Sequence, residues 1–134
     1  MNIYLAGSFS RCEELNDYAD ELRSLGHIVD CRWLEGFHQV HPGAWKVENS
    51  EEMPPEAERF AIDDLEDLYA SDVVISFTGT GAHRGGRHVE FGMGVAWGKR
   101  MIVVGKRENV FHCLPVVEFF ADWPSCLRAL AKDT

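Results

Sequence analysis

The sequence predicts an α/β fold, a doubly wound parallel sheet of about five strands with helices on both faces. Three observations lead there. Short apolar runs alternate with segments of helical periodicity from the first residue onward. Two of those runs, Asn2–Ala6 and Val73–Phe77, are apolar at nearly every position rather than at every second one, as strands buried on both faces require. The length of 134 residues suits one domain spanning 1–134 and leaves little room for a second.

The elements follow in order. Asn2–Ala6 is the first strand and ends at Gly7. Ser10 with Glu13 three places on has the capping-box pattern, and Leu15, Tyr18, Ala19, Leu22 and Leu25 recur at helical spacing up to Gly26. His27–Cys31 reads as a second strand. Residues 33–55, with Gly36, Pro42, Gly43, Pro54 and Pro55, read as one long functional loop. A helix from about Glu56 to Ala70 carries the apolar stripe Ala57, Phe60, Ala61, Leu65 and Leu68. Val73–Phe77 is the third strand. A glycine-rich stretch, TGTGAHRGGR, leads into a helix from His88 to about Gly98. Met101–Val104 and Val116–Phe120 complete the sheet, and Asp122 and Pro124 start a last helix. In the usual small doubly wound order, ligands sit beyond the carboxyl ends of the first and third strands. Gly7–Arg11 and Thr78–Glu90 border that crevice.

Composition excludes several classes. Apolar residues make up 46% and charged residues 26%, which rules out disorder, collagen and coiled coil. No apolar run approaches the roughly 18 residues of a membrane span, and the N-terminus has no signal-peptide pattern, so a cytoplasmic protein is expected. The four cysteines form no CxxC pair and are expected as reduced thiols. The net charge of −9 resides wholly in residues 48–72, where ten acids face one base. No basic stripe is present for duplex binding, so nucleic acid is not an expected partner.

Among residues that carry chemistry, Glu90 comes first. It follows the glycine loop and falls in the expected first turn of its helix, where the dipole favours an ionised carboxylate suited to attack on an anomeric carbon. A first-turn glutamate also has a purely structural reading, because it suits the dipole anyway. Asp64 lies four after Phe60 and four before Leu68, so it interrupts a buried stripe and needs partners there. Capping of a nearby loop would serve as well. Asp63, Glu66 and Asp67 read as a solvated face. The loop GTGAHRGGR is neither a dinucleotide fingerprint nor a P-loop, yet its glycines with Arg84 and Arg87 can cradle an anion; a solvated surface loop is the alternative. His83 and His88 are poorly spaced for a shared metal and His38 and His41 lie in irregular chain, so no metal is expected. Ser8 and Ser10 lack a nucleophile elbow and suit capping or turn roles.

Taken together, IYLAGSFS at 3–10, DLEDLYASDVVIS at 64–76 and GGRHVEFGMGVAWGKR at 85–100 resemble the nucleoside 2-deoxyribosyltransferase superfamily, over residues 2–105. That group includes base-exchanging transferases and 2′-deoxynucleoside 5′-monophosphate N-glycosidases. The resemblance implies a flavodoxin-like fold, no cofactor, and cleavage of an N-glycosidic bond through a covalent glycosyl-glutamate. Glu90 matches the nucleophile and Asp64 the aspartate near sugar and base. Tyr4 and the turn of Gly7, Ser8, Phe9 and Arg11 match the segment lining the sugar. Arg84, Gly85, Gly86, Arg87 and His88 complete the expected substrate contacts, with His88 standing where a glycine is common in the family. The three arginines lean the reading toward a phosphorylated substrate, and Trp33, Phe37 and Trp45 are candidates to stack on a base. The resemblance also implies a homodimer or larger assembly. Two other readings stay open: a nucleotide-binding or sensing module without turnover, and an NAD-type glycohydrolase.

Overall fold

The computed structural model describes residues 1–36, 56–79 and 85–133. Four parallel strands form the sheet: β1 (Ile3–Ala6), β2 (Val73–Phe77), β3 (Arg100–Val104) and β4 (Val117–Phe120), in that spatial order. Helices α1 (Cys12–Ser24), α2 (Ala57–Tyr69), α3 (Gly86–Ala96) and α4 (Trp123–Ala131) cover it. Strands β1, β2 and β3 are buried almost throughout, which explains their largely apolar sequence. One face holds α1 and α4, joined by Tyr18 stacked on Trp123 at 4.6 Å, with Phe77 5.7 Å from Trp123. On the other face α3 presses Gly94 against Met101 and Val74, and Tyr69 of α2 meets Trp97 edge-on at 5.2 Å.

The strand expected over His27–Cys31 does not form, so the sheet has four strands rather than five. Only a parallel bridge between Asn2 and Ile28 marks its place. Side chains take over the outer edge of β1 beyond that point. The Leu5 N–H donates to Cys31 Sγ at 3.4 Å, and the Leu5 carbonyl accepts from Trp33 Nε1 at 2.8 Å. With those backbone groups satisfied, the chain turns away into a short 3₁₀ segment, Arg32–Glu35.

Helix boundaries follow the caps with two exceptions. Gly26, at φ +91°, ends α1, and the Asp122 side chain accepts from Ser125 N to start α4. The Ser10 capping box is not formed. Residues Phe9–Arg11 make a 3₁₀ turn first, and α1 begins at Cys12 without a side-chain cap. In α3, Gly85 at φ +88° lets the helix start at Gly86, two residues earlier than expected. Glu90 therefore lies past the first turn, and the dipole argument for it weakens.

The stripe on α2 is narrower than the pattern suggests. Phe60 and Leu68 are buried, whereas Ala61 and Leu65 face solvent. Nor is the acidic flank simply solvated. Arg32 reaches Asp63 at 3.1 Å, Glu66 at 3.0 Å and Asp67 at 3.0 Å, and its own N–H donates to Asp67. One arginine thus ties α2 to the segment after α1, and Asp63 and Asp67 are largely covered.

At the end of β3, Gly105 has φ +123°, and a Cβ there would stand 2.6 Å from the Thr78 carbonyl oxygen. Gly105→Ala is expected to lose roughly 2–4 kcal/mol through left-handed strain and overlap. Urea unfolding measures it, and an unchanged midpoint with unchanged slope would contradict the close approach.

Candidate functional site

The register of the sheet determines which side chains meet. Tyr4 pairs with Val74, and Val74 touches Gly94 of α3, so Tyr4 faces the side covered by α2 and α3. On α3, Glu90 precedes Gly94 by one turn and points to the same side. On α2, Asp64 sits midway between the buried Phe60 and Leu68. These three elements bring Tyr4, Asp64 and Glu90 into one electrostatic neighbourhood.

Burial is the largest influence on Glu90. It pushes the carboxyl up to about 8, with the Asp64 charge adding to the rise and the nearby Tyr4 hydroxyl opposing it. Tyr4 is itself driven well above the usual phenol range by burial, then by Glu90 and Asp64. Both Tyr4 Oη and Glu90 Oε2 are buried without a hydrogen-bond partner among the described residues. A carboxyl pushed up to about 8 holds its proton at neutral pH, where the helix dipole alone would favour the ionised form. Cys31 borders the same group and is pushed up to about 12, chiefly by burial, so it packs as an inert thiol.

The remaining expected residues fall into three groups. At the turn after β1, Gly7 lies so close to α1 that a Cβ would meet Leu15 Cδ1 at 2.9 Å. Ser8 is buried, its carbonyl accepting from Arg11 N, and Phe9 stands 6.4 Å from the Trp33 ring. Gly85 and Gly86 start α3. The arginines form the second group, and both described ones are engaged. Arg11 grips Glu14 with two bonds of 2.8 Å and donates to the Thr78 carbonyl, holding Glu14 down to about 2. Arg87 is buried against Glu108, with Nη1 2.6 Å from Oε1. His88 lies 4.0 Å from the same carboxylate. The third group, Arg84 together with Phe37, Trp45, His38, His41 and His83, lies outside the described residues. Trp33 is buried beside β1, its indole engaged by Leu5.

Sequence reasoning missed Glu108, His112 and Ser76. The first two sit in the connection between β3 and β4, Glu108 in irregular chain and His112 in the short 3₁₀ segment Val110–Cys113, where no periodicity singles them out. Ser76 shares the sheet face of Tyr4, and its buried hydroxyl has no partner among the described residues. A polar residue inside an otherwise apolar central strand was the available signal. A cleft of about 440 Å³ lined by Asn16, Arg23, Cys31, Arg32, Leu34 and Asp67, among others, shares only Cys31 with this neighbourhood. Among the described residues no cluster has the makings of a metal site, and no helix is long and apolar enough to cross a membrane.

No protein-family model and no curated protein matches the chain. Solved structures do. A 2-deoxyribosyltransferase from Bacillus psychrosaccharolyticus superposes with a TM-score of 0.69 at 20% identity, covering 98% of this chain and 96% of that one. The CMP N-glycosidase BcmB of Clostridium botulinum gives 0.63 at 21% identity, with both chains fully covered. The fold is the one those two enzymes share. It is the flavodoxin-like parallel α/β architecture that the resemblance implied.

The raised Glu90 carboxyl has a thermodynamic consequence. Between pH 4.5 and about 8 the folded chain holds a proton that the unfolded chain releases, so stability falls as pH rises through that window. Glu90→Gln has no such proton to lose. Relative to that variant, the wild type is expected to lose roughly 3–5 kcal/mol between pH 5 and pH 9. Urea unfolding of both proteins at the two pH values tests this, and parallel profiles would show that Glu90 titrates normally.

Proposed function

We propose that this protein cleaves the N-glycosidic bond of a 2′-deoxynucleoside, with Glu90 as nucleophile and Asp64 assisting the departing base. The convergence of Glu90, Asp64 and Tyr4 in one buried neighbourhood carries the reading, and the two structural neighbours, a deoxyribosyltransferase and a CMP N-glycosidase, support its general kind.

The chemistry suits these groups. Rupture of the bond develops oxocarbenium character at C1′, which an anionic carboxylate beneath the sugar stabilises and then traps as an ester. The glycosidic electron pair leaves with the base, which takes up a proton. Water attacking the ester gives hydrolysis, and a second base gives transfer. Glu90 must ionise first. Burial holds its proton up to about pH 8, and the neighbouring Tyr4 hydroxyl acts in the opposite sense, favouring the anion. Engagement of Arg11 by Glu14 and of Arg87 by Glu108 favours an unphosphorylated substrate over a 5′-monophosphate, against the leaning of the sequence.

A panel of deoxynucleosides and deoxynucleotides, with and without acceptor bases, tests the activity. Glu90→Ala is expected to reduce turnover by at least about 10⁴-fold. Intact-protein mass after mixing is expected to show a deoxyribosyl adduct on the wild type alone. In the wild type, log kcat/KM should climb with unit slope up to about pH 8 and then level. No released base and no exchange anywhere in the panel would refute the assignment. A neutral Glu90 at pH 7 equally suits a sensing module that donates a hydrogen bond to a ligand. Thermal stabilisation by a nucleoside that survives long incubation would select that reading.

The assembly is proposed as a homodimer through the α2–α3 face. Ile62, Leu65 and Tyr69 of α2, Val89 of α3 and Trp97 just after it are exposed there, with Gly92 and Ala96 leaving room for close helix approach. Val89→Lys with Leu65→Lys should shift the sedimenting species from dimer to monomer. A wild type that sediments as a monomer at about 100 μM, well above typical dimer dissociation constants, would exclude it.

A further inference from the structure

A second buried ionic group lies at the carboxyl ends of β2 and β3, apart from the Tyr4–Asp64–Glu90 neighbourhood. Its centre is Arg87, second residue of α3, on the same inward line of that helix as Phe91 and Gly94. With its side chain 2% exposed, the guanidinium needs a counterion and hydrogen-bond acceptors. Glu108 provides both. Arg87 Nη1 is 2.6 Å from Glu108 Oε1 and 3.2 Å from the Phe77 carbonyl, and Nη2 is 3.2 Å from Glu108 Oε2. The same Oε2 accepts from Gly79 N at 3.3 Å. Glu108 N in turn donates to His112 Nδ1 at 3.0 Å, and the His112 ring meets Phe91 edge-on at 4.7 Å.

These contacts tie Gly79, just beyond β2, and the first turn of α3 to one carboxylate of the β3–β4 connection. Glu90 lies between Arg87 and Phe91 on α3. The helix has no side-chain cap, and its N-cap is Gly85 in a left-handed conformation, so the local sequence anchors its start weakly. We propose that Glu108 is a positioning residue which, through Arg87 and Gly79, sets the depth at which α3 presents Glu90 to Tyr4. This rests on the reading of Glu90 as nucleophile. A pair serving stability alone is replaceable, since apolar residues of similar volume are often tolerated in place of a buried ion pair. Apolar residues would leave Gly79 N and the Phe77 carbonyl without these bonds, however. Displacements of about 1 Å at a reacting group are enough to slow catalysis by about a hundredfold.

The test compares the wild type with Glu108→Gln and with the double variant Arg87→Met/Glu108→Leu, each as the full chain. Three readouts are taken: amide hydrogen exchange at Gly79 and the first turn of α3, titration of Glu90 by carboxyl ¹³C NMR, and steady-state kinetics on deoxynucleosides. The double variant is expected to unfold near the wild-type temperature. Its amides at Gly79 and the start of α3 should exchange at least about tenfold faster, the Glu90 titration should move, and kcat should fall about tenfold or more with KM little changed. Glu108→Gln should show the same changes in smaller measure, and stands alone should the double variant fail to fold. Folded variants with wild-type exchange, titration and kcat would overturn the proposal. If exchange and titration move while the wild type turns over no nucleoside, positioning stands and the enzymatic reading falls.

Discussion

Burial of the Glu90 carboxyl within electrostatic reach of Tyr4 of β1 and Asp64 of α2 is the constraint that sets the character of the α2–α3 side of the sheet. A carboxyl in that position is desolvated, and its proton is held to about pH 8. The sheet tolerates it because β1 supplies a phenol at the matching register, whose hydroxyl opposes the rise. Ordinary packing would place an aliphatic side chain at each of these three positions. A carboxyl desolvated there lowers stability as pH rises toward 8.

Around that site the chain controls charge by local neutralisation. Two arginines at the crevice ends, Arg11 and Arg87, each meet a glutamate in two-pronged geometry, and Arg32 gathers three acids of α2. The excess negative charge visible in the sequence is therefore partly structural, binding α2 to the segment that precedes it. Among the described residues, the two arginines near the carboxyl ends of β1 and β2 are thereby committed to carboxylates.

How much of this was legible beforehand depends on whether the signal was local. Strands β1 and β2 announce themselves because full burial demands continuous apolar sequence, and Gly26 and Asp122 because helix ends demand particular side chains. Asp64 stood out since four-residue spacing placed it on a line with Phe60 and Leu68. The failed strand after α1 was not legible: Cys31 and Trp33 satisfy the Leu5 backbone with side chains, a substitution no propensity describes. Glu108 and His112 were invisible for a similar reason, because their partners lie on α3 and beyond β2.

By itself the sequence determined the alternation of strand and helix and the unbroken apolar character of β1 and β2, because burial and periodicity act within one element. The tertiary structure alone decided the protonation of Glu90, the engagement of Arg11 and Arg87, and the anchoring of α3 by Glu108. Those depend on how much water is excluded and on which charges, far apart in the chain, come within a few ångströms of each other.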